Sequence, residues 1–150
     1  MTQAPAPADR PWAAAQEVTD LVARFADGTL PASEWTHRAH LTVALWHATH
    51  HAPAEALRLV REGILRLNRA HGVPTTATRG YHETITRFYM HVVTHHLRVE
   101  PAGEDWADHA NRLYQRLGAR DLPLHHYSKA RLKSAEARAG WVEPDLRPMP

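Results

Sequence analysis

The chain has no cysteine. That absence rules out disulfides, thiolate nucleophiles, cysteine-ligated zinc and iron–sulfur clusters. It also fits a reducing compartment. Long apolar runs are missing too: none approaches the roughly 20 residues that a membrane span requires. Residues 1–9 are rich in alanine and proline and lack the basic start and apolar stretch of a signal peptide. Together these absences predict a cytoplasmic protein with no membrane partner. Excess charge of one sign is small, with 18 Lys and Arg against 16 Asp and Glu. The arginines are scattered among the acids, whereas a nucleic-acid reader shows a clustered basic face or stripe. Nucleic acid is therefore not an expected partner. No strand-like alternation and no internal repeat is present.

What remains is enough for one domain. At 150 residues and 43% hydrophobic content, the chain can bury a sizeable core. Its apolar residues recur at helical spacing, and proline and glycine punctuate them. Residues 1–10 read as a flexible tail, and residues 11–150 as a single all-α domain, a bundle of about five main helices. The first, about residues 11–27, opens at Pro11 and stops at Gly28. Ser33 is a candidate N-cap for a second helix, about 34–51. Pro53 suits the first turn of a third, 53–71. Residues 73–80 form a loop, and a fourth helix runs over about 81–99. A fifth covers about 104–117, and a short helix lies near 129–139. The proline-rich end from Trp141 reads as an extended tail lying on the bundle.

Histidine is the compositional outlier, with 13 residues. Imidazole serves metal binding, proton transfer and pH sensing. His37 and His40 are three residues apart, so on a helix they share a face with Cβ atoms about 5–6 Å apart. Two imidazoles so placed can share a metal ion. Tyr81-His82-Glu83-Thr84-Ile85-Thr86 gathers an imidazole, a carboxylate, a phenol and two hydroxyls within two turns. His82 is the candidate third ligand. Glu83 has three candidate roles: a fourth ligand, a general base on metal-bound water, or a partner that orients an imidazole. A helix N-terminus with Glu83 favouring the dipole is the structural alternative. His47, His50, His51, His91, His95 and His96 contain (i, i+4) pairs suited to a second metal. They read better as solvated surface, because His91 lies about 180° round its helix from His82. His125-His126-Tyr127-Ser128 reads as a polar turn that could close over a pocket.

These stretches resemble a widespread family of small helical bacterial proteins. Its pattern is an aromatic residue, one residue, then His-x-x-His, met here by Trp35, His37 and His40. Tyr-His-Glu-Thr-Ile-Thr follows at Tyr81–Thr86, then Tyr127-Ser128, Ala137-Arg138, and Pro144-Asp145 with Pro148. The resemblance covers nearly the whole chain after the first 20 residues. It implies that His37, His40, His82 and Glu83 belong together, and it brings no reaction with it.

The resulting expectation is a metal-dependent enzyme acting on a small-molecule substrate. His37, His40 and His82 would hold one transition-metal ion, leaving an open position. Imidazole suits zinc, copper and iron alike. Glu83 would move a proton, and Tyr81, Thr86 or Tyr127 would position the substrate. Two alternatives stand beside it: a non-catalytic protein binding a metal, haem or small ligand, and a helical protein whose motif residues form a buried polar network. Oligomeric state is left open.

Overall fold

The computed structural model describes residues 10–150 except 102 and 104, so all but Arg10 of the expected N-terminal tail lies outside the described residues. The architecture is all-α. Five main helices, α1 (Ala15–Asp27), α2 (His37–His50), α3 (Pro53–Ala70), α4 (Glu83–Val99) and α5 (Trp106–Leu117), are followed by two short ones, α6 (Lys129–Leu132) and α7 (Ala135–Ala139). Among the described residues no helix is long and apolar enough to cross a membrane.

Helix α2 is the hub. Helices α1, α3, α4 and α5 all pack against it. Ala39, Leu41, Thr42, Val43, Ala44, Leu45 and His47 are therefore buried around most of its circumference. A helix apolar on nearly every side belongs in the middle of a bundle. Helix α4 sits between two cores. Met90 and Val93 join the main one, with Leu21, Phe25 and Leu45 among its members. Phe88 and Val92 join a second, built with Tyr127, Leu132, Ala137 and Val142 from the C-terminal segment.

The helix starts differ from the sequence expectation in two places. Pro11 does not open α1. The helix begins at Ala15, and Glu17 reaches back to accept from the Ala13 and Ala14 amides at 2.7 and 3.3 Å. Ser33 does not cap α2 either, because Ala32–Glu34 forms a 3-10 turn and Thr36 takes the cap, its hydroxyl accepting from the Ala39 amide at 3.2 Å. The last short helix is split in two. Ser134 ends the first piece and caps the second, accepting from the Ala137 amide. The tail does lie on the bundle: Val142 is buried and accepts from the Tyr127 hydroxyl.

Two glycines are required by close approach. A Cβ at Gly80, where φ is +87°, would meet the Pro74 carbonyl oxygen at 2.5 Å. A Cβ at Gly63 would meet the Phe25 ring at 2.2 Å, because α3 presses its backbone onto that side chain. Phe25 is fully enclosed and cannot retreat. Gly63→Ala is expected to destabilise the fold by about 2 kcal/mol or more through overpacking. Thermal denaturation checks this, with a midpoint lowered by about 5 °C or more. An unchanged midpoint would refute the close contact.

Candidate active site at the His37–His40 face

The Thr36 cap places His37 and His40 in the first turn of α2. Both border a cavity of about 540 Å³. Its apolar wall includes Trp35, Leu41, Ala44, Val60, Ile64 and Met90, and its polar margin includes Thr86, Tyr89 and Arg120. The expected pair is thus brought together, and on the inner side of the helix.

His40 is held firmly. Its ring stacks on Trp35 at 3.7 Å, and Trp35 in turn stacks on Phe25. Its Nδ1 lies 2.7 Å from the Thr36 carbonyl. A carbonyl only accepts, so Nδ1 carries the proton and Nε2 keeps its lone pair. A ring fixed in this way by the backbone keeps Nε2 able to ligate a metal or accept a proton, although His47 and His50 make the same i−4 bond. Burial pushes the ring down to about 4, against the Thr36 carbonyl, with a smaller downward push from His37. The residue is half-buried and borders the cavity.

His37 presents a buried Nε2 with no hydrogen-bond partner. Such an orphaned atom is rare and calls for a cause. Tyr89 and Tyr114 meet its ring edge-on. Burial lowers its pKa most, then the Arg120 charge, while the Gly118 carbonyl opposes them. Both imidazoles are therefore neutral at pH 7, the form that binds metal or accepts a proton.

His82 is placed differently. It lies just before α4 as its N-cap, with Nδ1 accepting from the Ile85 amide at 3.1 Å. Nε2 lies 2.7 Å from the Leu132 carbonyl and so donates to it. Both ring nitrogens are in use, and neither is left for a metal. Burial is the largest cause of its lowered pKa, with the Leu132 carbonyl opposing and Arg138 adding to it.

Glu83 is also committed. Arg61 grips its carboxylate in two bonds of 2.9 and 2.6 Å, and the Tyr81 hydroxyl donates to it at 2.5 Å. Burial pushes this carboxyl up, but Arg61 and Tyr81 more than offset it, and the group stays ionised. Burial, then Glu83, pushes the Tyr81 phenol up to about 12. Neither Tyr81 nor Glu83 borders the cavity. Thr86 does border it, and it donates to the His82 carbonyl at 2.9 Å. Tyr127 is fully buried in the second core, its hydroxyl spent on Val142, and it is not brought to the site.

The remaining histidines do not assemble a second centre. His47 is buried beside Phe25, donating to the Val43 carbonyl. His50 donates to the Trp46 carbonyl. His91 donates to the Pro150 carbonyl. His95 is exposed, and His51 sits at the exposed end of α2. His96 is buried with Nε2 unpartnered. His126 donates to carbonyls of the tail, so the His125–Ser128 turn pins the tail and does not cover the cavity. Among the described residues no three His, Asp or Glu side chains lie close enough together to hold a metal ion.

A second chamber of about 420 Å³ adjoins the first. His37, Ile85, Tyr89 and Arg120 border both. Its outer wall carries Lys129, Lys133 and Arg138, and no Asp or Glu lines it. Tyr89, at the junction, is held up to about 12 by burial and then by Asp121. Sequence reasoning missed Tyr89, Arg120 and both lysines as site residues. A signal existed for the lysines: they are the only two in the chain. Comparison with known proteins adds no second source, since no family model, curated protein or solved structure matches the chain.

Proposed function

We propose that the protein is an enzyme acting on a small molecule held in the 540 Å³ cavity, with His37 and His40 as its reactive wall and its metal-binding pair. The observation that carries this reading is the pair of free Nε2 atoms. One belongs to a ring fixed by the Thr36 carbonyl, the other is the buried and unpartnered Nε2 of His37. Two neutral imidazoles on one turn are ligand-competent for zinc, copper or iron. A metal supplies Lewis acidity or an activated water at such a site. The residues present fit two of the three expected ligands. They do not fit the third, because His82 is spent on the α4 cap and on Leu132. The coordination sphere would then be completed by substrate and solvent. Thr86 and Tyr89 are the hydroxyls placed to orient a substrate against the pair.

Metal analysis by inductively coupled plasma mass spectrometry, on untagged protein reconstituted with zinc, copper or iron, tests this. Wild type and His82→Asn should both retain the metal, and His37→Ala/His40→Ala should lose it. Equal metal in wild type and the double variant would overturn the assignment.

The structural alternative is favoured for part of the motif by a specific observation. Tyr81, His82, Glu83 and Thr84 each spend their side-chain polar groups on the fold, in three separate sets of satisfied hydrogen bonds. In the third set, Thr84 donates to the Gly140 carbonyl at 2.7 Å and accepts from the Val142 amide. Satisfied networks of this kind specify a core. Within the hexapeptide, these four residues build the scaffold, and Ile85 and Thr86 face the cavity.

A further inference from the structure

We infer that the chamber beside the site is an oxyanion pocket, and that the substrate is an amphipathic anion whose doubly charged head, of phosphate type, sits among Arg120, Lys129, Lys133 and Arg138. This deepens the small-molecule reading above and rests on it.

Four cationic side chains border a space of about 420 Å³ with no carboxylate in its wall. None of the four makes an ion pair among the described residues, whereas Arg10, Arg24, Arg58, Arg61, Arg112 and Arg116 each pair with a carboxylate. Arg138 is anchored from one side by the Gly80 carbonyl at 3.0 Å, while its buried Nε has no partner. That leaves a guanidinium held in place with an unused donor. The chain otherwise uses arginine for its positive charge, and both of its lysines face this chamber. They are four residues apart across α6, a spacing at which like charges repel. A dianion between them reverses that repulsion, and the excess of four cations favours a doubly charged head over a single carboxylate.

The geometry also sets the rest of the ligand. The 540 Å³ cavity next door is largely apolar, and His37 stands on the border between the two chambers. A molecule with its charged head among the lysines would lay an apolar body along Leu41, Val60 and Ile64. Its middle would then pass His37. Burial of the apolar body contributes about 0.8 kcal/mol per methylene group, so length should matter as well as charge.

Isothermal titration calorimetry with hexyl phosphate, hexanoate, 1-hexanol and inorganic phosphate separates these contributions. Hexyl phosphate should bind tightest, more weakly as salt is raised, and inorganic phosphate more weakly than its hexyl ester. In Lys129→Met/Lys133→Met, hexyl phosphate affinity should fall about tenfold or more, with 1-hexanol unchanged. Both lysines are exposed, so the variant should fold. Hexanoate matching hexyl phosphate would overturn the doubly charged head. An unchanged double variant, or 1-hexanol binding as well as hexyl phosphate, would overturn the pocket itself. Metal content measured on the same samples keeps the two readings apart. Metal retained without anion preference sinks this inference alone, and anion preference without metal sustains it while sinking the metal assignment.

Discussion

Glu83→Ala is expected to cost about 3 kcal/mol of folding stability, read as a lowered urea midpoint. The Glu83 side chain is 11% exposed and neutralises Arg61, which is itself only 34% exposed. Removing it leaves a guanidinium and the Tyr81 hydroxyl without their partner, and orphaned buried groups cost more than the bonds that joined them. The partial exposure of Arg61 keeps the figure at the low end for a broken buried pair. Replacing the whole cluster by apolar groups, as in Tyr81→Phe/Arg61→Met/Glu83→Leu, should recover most of the loss. If Glu83→Ala instead leaves the urea midpoint unchanged while abolishing metal binding, Glu83 is a ligand or base and the scaffold reading of the hexapeptide falls.

Acid should unfold the protein in a window set by histidine. In the folded state the pKa values of His37, His40, His47, His82, His96 and His109 all lie below 6.5, with burial the largest cause for each. His109 is fully enclosed with neither ring nitrogen partnered. The sign follows from linkage. An unfolded chain takes up protons on these rings from about pH 6.5, while the folded chain resists, so more protons are bound unfolded and stability falls as pH falls. The histidine contribution is complete above about pH 7 and declines as pH drops through 6.5. For His40 the decline ends near 4, and its share alone is up to about 3 kcal/mol. Carboxylates such as Glu83, also depressed, add their loss only as pH falls below about 4.5. Urea midpoints at pH 7.5, 6.0 and 5.0 should descend steadily, and less steeply in His40→Phe. A flat profile between pH 7.5 and 5.0 would show that these rings are not held neutral by the fold.

Much of this protein is legible from its sequence, for identifiable reasons. The helices follow the 3.6-residue period, and Gly28, Pro53 and Gly72 mark their limits. His37 and His40 could be paired because a three-residue spacing on one helix needs no knowledge of the rest of the fold. His82 could not be assigned, because its Nε2 is satisfied by a carbonyl 50 residues away, and sequence shows a histidine without showing its tautomer. Glu83 was ambiguous for the same reason, with Arg61 lying one helix earlier. Tyr127 looks like a substrate-positioning phenol until its hydroxyl is seen to donate to the Val142 carbonyl. The cationic chamber draws on the α5–α6 connection, α6 and α7, and no local pattern announces such a convergence.

The His82 contact with Leu132 ties the start of α4 to a carbonyl 50 residues further along the chain. The imidazole caps α4 through Nδ1 only while that nitrogen has a free lone pair, and the Leu132 carbonyl secures that state by accepting a hydrogen bond from Nε2–H. Without that carbonyl, nothing beyond the Ile85 amide would hold the ring in the tautomer the cap needs. Closing a loop of about 50 residues is entropically slow but grows only weakly more costly with length. A chain truncated before residue 132 is therefore expected to hold the first turn of α4 more weakly. A nascent chain released at residue 120 would carry α2 and its histidine pair, yet it would lack the locked helix that forms the opposite wall of their cavity.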